Sequence, residues 1–140
     1  MDFVSIRIIT GDVARLVDFY ERATGARAVW ATEDFAELRT ARATLAIAST
    51  RTVALFAPGC AVAADNRSVI TEFLVDDVDR LHEDLTGTGT SADVGVVADV
   101  VAGPATMPWG NRSLLVRDPD GNLVNFFAPV TAEAAARLAR

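Results

Sequence analysis

The feature that most restricts the fold of this 140-residue chain is an internal repeat of strand and helix patterns. In each half, an alternating segment rich in β-branched residues is followed by an aspartate and then by apolar residues at helical spacing. Asp12 and Asp77 lie 65 residues apart, and so do the strand starts Ser5 and Ile70. This self-similarity predicts two copies of one supersecondary unit within a chain of single-domain length.

Each copy is predicted to run in the order β-α-β-β-β. The strands of the first copy are expected at residues 3–10, 28–32, 35–40 and 44–48, and those of the second at 69–75, 94–101, 112–117 and 123–128. The first helix is expected to begin after Asp12 and to end at Gly25, because aspartate caps helix starts and glycine accepts the left-handed conformation. The second helix is expected to end within residues 86–89.

The predicted architecture is therefore α+β, with eight strands in two tandem β-α-β-β-β modules. We expect a single domain in which module 1 covers about residues 3–50 and module 2 covers about residues 68–129. Residues 51–67 are the expected linker, and residues 131–140 are an alanine-rich helix suited to an end piece or a dimer contact.

Composition excludes several classes of function. Thirteen arginines and no lysine stand against nineteen acidic residues, so the net charge of −6 disfavours nucleic acid, and lysine-based covalent chemistry is excluded. His82 and Cys60 are the single histidine and the single cysteine, so one chain cannot assemble a multi-histidine or paired-cysteine site. The absence of a signal-like start or a long apolar run predicts a cytoplasmic protein that does not span a membrane.

Specific strings resemble the vicinal oxygen chelate superfamily, which contains glyoxalase I, extradiol dioxygenases and bleomycin resistance proteins. The first strand and helix start carry IITGD at residues 8–12, and the fifth strand carries FLVDDVD at 73–79. The most specific match is PWGNRS at 108–113 running into RDPDGNL at 117–123. The resemblance covers nearly the whole chain and implies that the eight strands form one cupped mixed sheet around a concave pocket. This fold hosts both enzymes and pure binders.

The same resemblance assigns four strand positions to metal ligands in the metal-dependent members. The matching positions here are Ser5, Ala46, Ile70 and Asn125. None of them offers an ionisable donor, whereas divalent ions in such sites need carboxylate or imidazole ligands. We therefore expect no metal and no other cofactor in this pocket.

Strand alternation predicts which side chains share a face with these positions. With Ser5 and Asn125 facing the pocket, Arg7, Glu72 and Phe127 face it as well. Two interpretations are left open for Arg7 and Glu72, which are equivalent in the repeat. They either orient a polar ligand inside an apolar cup or form a salt bridge between central strands, and the two roles are compatible.

Aromatic residues are the other candidates for ligand contact. Trp30, Phe35, Phe56 and Trp109 could each stack on a flat ligand or serve in a core or dimer contact. Trp109 is favoured because PWG is a loop-like string at a strand entry, where pocket rims are commonly built.

These features predict a small-molecule binding protein that resembles the bleomycin resistance proteins. We expect it to sequester an aromatic or cationic compound without a metal ion and to form a homodimer. The alternative is an enzyme of the same superfamily. It would be either a metal-free acid/base catalyst, with Glu72 as general base and Arg7 as an electrophilic clamp, or an atypical metal-dependent lyase, isomerase or dioxygenase. Whether any reaction is catalysed is open at this point.

Overall fold

A computed structural model describes residues 1–88 and 98–139 of the chain, which divide into two compact units. The first unit comprises Met1–Arg67 together with Pro119–Gly121. Its elements are β1 (Ser5–Thr10), α1 (Val13–Thr24), β2 (Ala28–Thr32), β3 (Phe35–Arg39), β4 (Thr44–Ser49) and the short α2 (Thr50–Val53). The predicted β-α-β-β-β order is confirmed in this unit, and α2 occupies the start of the segment that was expected to be linker.

The second unit comprises Ser68–Asp118 and the residues from Asn122 onward. Its elements are β5 (Ile70–Leu74), α3 (Val78–Thr86), β6 (Asp99–Thr106), β7 (Asn111–Arg117), β8 (Leu123–Pro129) and α4 (Ala132–Leu138). The β-α-β-β-β order is therefore confirmed again, and the expected C-terminal helix is present.

The repeat extends to the atoms that begin and end the two main helices. Asp12 caps α1 by accepting the Arg15 amide at 3.0 Å, and Asp77 caps α3 by accepting the Arg80 amide at the same distance. Both helices end on a left-handed glycine, at φ 71° in the first unit and φ 72° in the second. Helix α1 has 12 residues and α3 has nine. The repeat spacing is therefore three residues shorter after the helices, between Gly25 and Gly87, than before them, between Asp12 and Asp77.

Both sheets pair their strands in the same way. The order is β1-β4-β3-β2 in the first sheet and β5-β8-β7-β6 in the second, with one parallel pair and two antiparallel pairs in each. The eight strands expected in one sheet are thus found, within the described residues, as two four-stranded mixed sheets.

One face of each sheet packs on its helix and forms the core of the unit. In the first unit this face carries Ala36 and Ile47, which are fully buried with Leu16 and Tyr20 of α1. In the second unit this face carries Leu114, Val116, Val124 and Phe126, which are fully buried. Burying these apolar side chains supplies the main driving force for folding each unit.

The sixth strand differs from its prediction. It was expected at residues 94–101, of which 94–97 lie outside the described residues, and β6 extends to Thr106. The sequence prediction stopped early because Gly103 and Pro104 usually interrupt strands. Here they are tolerated, because β6 is an edge strand whose pairing with β7 shifts register on both sides of Ala102.

Helix α4 packs against the turn that joins β6 to β7. A Cβ atom added to Gly110 would overlap Thr131 Oγ1 and lie 3.2 Å from the Cβ of Ala134, so the backbone of the turn lies directly against the start of α4. The guanidinium of Arg137 also donates to the Trp109 carbonyl oxygen. No helix among the described residues is long and apolar enough to cross a lipid bilayer.

Candidate functional site

Five of the seven candidate site residues lie on the sheet faces turned away from α1 and α3, namely Ser5, Arg7, Glu72, Asn125 and Phe127. In the first sheet Arg7 pairs with Ala46, and Ala46 pairs with Glu37, so these three residues lie in one row across β1, β4 and β3. We call this side of the first sheet the Arg7 face. In the second sheet Glu72 pairs with Asn125, and Asn125 pairs with Leu115. This side of the second sheet is called the Glu72 face.

On the Glu72 face, an amide orients an exposed carboxylate. The Asn125 side-chain amide donates to Glu72 Oε1 at 2.8 Å across the parallel pair β5 and β8. Asn125 Oδ1 is buried and has no hydrogen-bond partner among the described residues. Leaving a buried acceptor unmatched costs about 1–3 kcal/mol, which a donor arriving from a ligand would offset.

The surroundings of this carboxylate are apolar. Ile70 and Leu74 flank Glu72 along β5 and are each about half exposed. Leu123 and Phe127 flank Asn125 in the same way along β8 and are partly exposed. Glu72 therefore presents one oriented negative charge at the centre of an apolar surface, which is the usual composition of a small-molecule site.

On the Arg7 face, the guanidinium lies over two aromatic rings. The Arg7 Cζ atom is 5.1 Å from the ring centroid of Phe35 and 5.1 Å from that of Phe56. Phe35 begins β3, and Phe56 comes from the segment after α2. The first of the two roles left open for Arg7 and Glu72, orientation of a polar group, remains a hypothesis. Each of the two side chains has a partner within its own unit: Arg7 contacts the two rings, and Glu72 accepts a hydrogen bond from Asn125.

Glu37 is a residue of the Arg7 face that sequence reasoning did not single out. Its Oε2 atom accepts from Arg39 Nη2 at 2.6 Å and from Arg39 Nε at 3.0 Å. The available signal was the alternation of β3, which places Phe35, Glu37 and Arg39 on one face. The Glu37 carboxylate, which lies in the same row as Arg7, is therefore paired with Arg39.

The two tryptophans proposed for ligand contact lie in different settings. Trp109 is 56% exposed in the hairpin turn between β6 and β7, where the Gly110 amide donates to the Met107 carbonyl at 2.9 Å. Trp30 pairs with Ala36, which is fully buried on the α1 side of the first sheet. Trp30 is therefore on the opposite face from Arg7, and the structure does not bring it together with the other first-sheet candidates.

The four positions equated with metal ligands lie on these same two faces but lack suitable donors. Ser5 and Ala46 are on the Arg7 face, and Ile70 and Asn125 are on the Glu72 face. The described residues contain no group of three or more histidine, cysteine or acidic side chains placed to hold a metal ion. One hydroxyl and one amide carbonyl do not supply the carboxylate or imidazole set that a divalent cation requires, so the residues present do not fit the metal.

Two ion pairs that lower carboxylate pKa values lie outside these faces and are not part of the candidate site. The hydrogen bonds from Arg112 to Asp79, at 2.6 and 2.9 Å, hold the pKa of that carboxyl below its usual value. Arg51 does the same for the pKa of Asp34 by hydrogen bonding, with Ser49 contributing. The first pair joins the start of α3 to β7, the second joins α2 to the turn between β2 and β3, and both belong to the scaffold.

Comparison with known proteins places this geometry in a family. The model for the Glyoxalase/Bleomycin resistance protein/Dioxygenase superfamily matches residues 2–126. The chain belongs to this superfamily. The vicinal oxygen chelate fold predicted from the sequence strings, α+β with a short C-terminal helix, is thereby confirmed.

Solved structures of the superfamily show the same fold at low sequence identity. A glyoxalase/bleomycin resistance protein/dioxygenase from Nocardioides is 20% identical, with a TM-score of 0.70 over 94% of this chain and 85% of that one. A family enzyme from Burkholderia phytofirmans PsJN is 17% identical, with a TM-score of 0.76 over 94% and 100% of the two chains. A glyoxalase-related enzyme from Fulvimarina pelagi is 20% identical, with a TM-score of 0.73 over 95% and 94%. No curated protein matches the chain.

Proposed function

We propose that this superfamily member binds a small aromatic or cationic compound on the Glu72 face without using a metal ion. The observation that carries the proposal is the exposed Glu72 carboxylate, held by Asn125 and surrounded by Ile70, Leu74 and Phe127. An oriented carboxylate favours a ligand amine or other N–H donor, and the flanking side chains favour an apolar body attached to it.

The donor set supports binding without a metal. Metal-dependent relatives are expected to place ionisable ligands at the positions that here hold Ser5, Ala46, Ile70 and Asn125. Two of these side chains are hydrocarbons, and Asn125 already donates to Glu72. Recognition would then depend on the carboxylate, on apolar contact and on Trp109 as an aromatic wall at the hairpin turn.

Sequestration is the biological role that this chemistry fits best. A protein that removes a toxic compound by mass action needs affinity and no lowering of a reaction barrier. Antibiotic resistance of the bleomycin type, a homodimeric assembly and a cytoplasmic location are parts of the same proposal. Ser5 and Arg7 on the other sheet are proposed to contact polar groups of a ligand, and Trp30 is not retained in this role because it lies on the α1 side.

The experiment uses three probes that share one body and differ in charge: 4-phenylbutylamine, 4-phenylbutanol and 4-phenylbutyrate. Binding to the full chain is followed by tryptophan fluorescence and by amide chemical shifts. We expect the amine to bind more tightly than the alcohol. Glu72→Gln should reduce amine affinity by roughly tenfold to a hundredfold, because a charge-assisted hydrogen bond contributes about 1.5–3 kcal/mol.

The matched control is Glu133→Gln, which removes the same charge from an exposed position in the first turn of α4. It should leave amine affinity unchanged. Equal affinity of the amine and the alcohol, or equal effects of the two variants, would contradict the proposal. If the compound found to bind best is also consumed, and Glu72→Gln abolishes its consumption while preserving its affinity, the metal-free enzyme takes the place of the binding protein.

A further inference from the structure

We propose that Arg7, whose guanidinium lies over the rings of Phe35 and Phe56, is an oxyanion-binding site on the Arg7 face of the first sheet. The ligand group would be a carboxylate or a phosphoryl group carried by an organic compound. This inference deepens the proposal that Arg7 contacts a polar ligand group and rests on it. It concerns a different sheet and the opposite charge from the amine site proposed on the Glu72 face, so the two tests can fail independently.

The rings determine where Arg7 can make hydrogen bonds. A guanidinium is planar, its five N–H groups point outward in its own plane, and aromatic rings interact with its faces. The guanidinium lies over Phe35 and Phe56 at 5.1 Å from Cζ to each centroid, and the hydrogen bonds and ion pairs found among the described residues do not include Arg7. The N–H edge is the part left for an acceptor, and an edge of paired N–H groups matches the two oxygens of a carboxylate or phosphoryl group.

The charge of Arg7 is also uncompensated within the described residues. Six other arginines there form ion pairs with carboxylates, namely Arg15, Arg22, Arg27, Arg39, Arg51 and Arg112. Glu37, the carboxylate in the same cross-strand row as Arg7, is paired with Arg39. A positive charge held in place and left without a carboxylate is what an anionic ligand group requires.

The setting of Arg7 is open and keeps the cation over small residues. Arg7 is exposed on β1, and Phe56 is 71% exposed, so a ligand can reach the guanidinium from solvent. Its neighbours on β4 are Ala46 and Ala48, which are small and buried. The two alanines leave the space above the strand to Arg7 and the two rings.

The test titrates the full chain with 4-phenylbutyrate, phenylphosphonate and the uncharged 4-phenylbutanol, and maps amide shifts around residue 7. Arg7→Gln should weaken binding of at least one of the two anions by tenfold or more and leave the alcohol unchanged. Arg7→Lys keeps the charge but loses the planar donor edge, so it should not restore the affinity. Phe56→Ala keeps the arginine and loses one ring, and we expect a loss of about twofold to fivefold.

The control is Arg42→Gln, in the exposed turn between β3 and β4, where it removes the same charge from the same unit. It should change anion affinity by less than twofold. Loss of affinity for only one of the two anions assigns the site to that group, and loss for both assigns it to oxyanions in general. Equal effects of Arg7→Gln and Arg42→Gln in variants with unchanged circular dichroism would overturn the proposal, as would full recovery by Arg7→Lys.

Discussion

Replacing Gly110 by alanine should destabilise the second unit more than an ordinary glycine substitution does. Gly110 has φ 88°, a conformation that costs an L-residue about 1–2 kcal/mol. The added Cβ would also overlap Thr131 Oγ1 and lie 3.0 Å from Thr131 Cγ2. Thr131 caps α4 by accepting the Ala134 amide at 3.2 Å, and loss of such a cap costs about 1 kcal/mol. The expected total is about 2–3 kcal/mol.

The matched control is Gly25→Ala at the end of α1. Gly25 has φ 71° and no heavy atom within 4 Å of its added Cβ, so this variant carries the backbone cost alone. Urea unfolding followed by circular dichroism gives the free energies of both variants. In a Trp30→Phe background, Trp109 is the single tryptophan and reports on the turn beside the substitution. If Gly110→Ala is no less stable than Gly25→Ala, and Trp109 emission is unchanged, the packing of α4 on the turn does not have the assigned role.

Two further predictions concern the core and an ion pair. Phe126→Ala should cost about 3–5 kcal/mol in urea unfolding, because Phe126 is fully buried and stacks on Phe73 at 5.6 Å. Phe127→Ala should cost less, since that side chain is half-buried on the Glu72 face. The hydrogen bond from Arg112 lowers the pKa of Asp79 below 3.8 in the folded protein. The Asp79–Arg112 pair therefore stabilises the fold fully above that pH, and this stabilisation is lost as the pH falls through the folded-state pKa of Asp79. The urea midpoints of Asp79→Asn and the unaltered protein should therefore differ at pH 6 and converge below pH 3.8.

Local chemistry explains which parts of the fold could be predicted from the sequence. Asp12, Gly25 and Asp77 act through backbone atoms a few residues away, so their cap roles are visible in the sequence itself. Strand β6 was misjudged because its glycine and proline are acceptable only at a sheet edge, and edge position is a property of the whole topology.

The candidate site could be predicted only in part, for the same reason. Strand alternation correctly predicted that Arg7 lies on the same face as Ser5 and that Phe127 lies on the same face as Asn125. Side chains two residues apart on a strand share a face. The stacking of Phe56 on Arg7 depends on a long connecting segment, whose path no local pattern specifies. The face of Trp30 depends on its register with Ala36, next to an irregularity between Trp30 and Thr32.

The metal dependence of ligand binding tests most directly whether the Glu72 face binds its ligand without a metal ion. Untagged protein is dialysed against a chelator, and the affinity for 4-phenylbutylamine is measured before and after addition of Mn²⁺, Ni²⁺ or Zn²⁺. Binding on the Glu72 face without a metal predicts the same affinity in every case, and the same tenfold or greater loss on Glu72→Gln. Binding that disappears on chelation and returns with one stoichiometric metal ion would contradict the account.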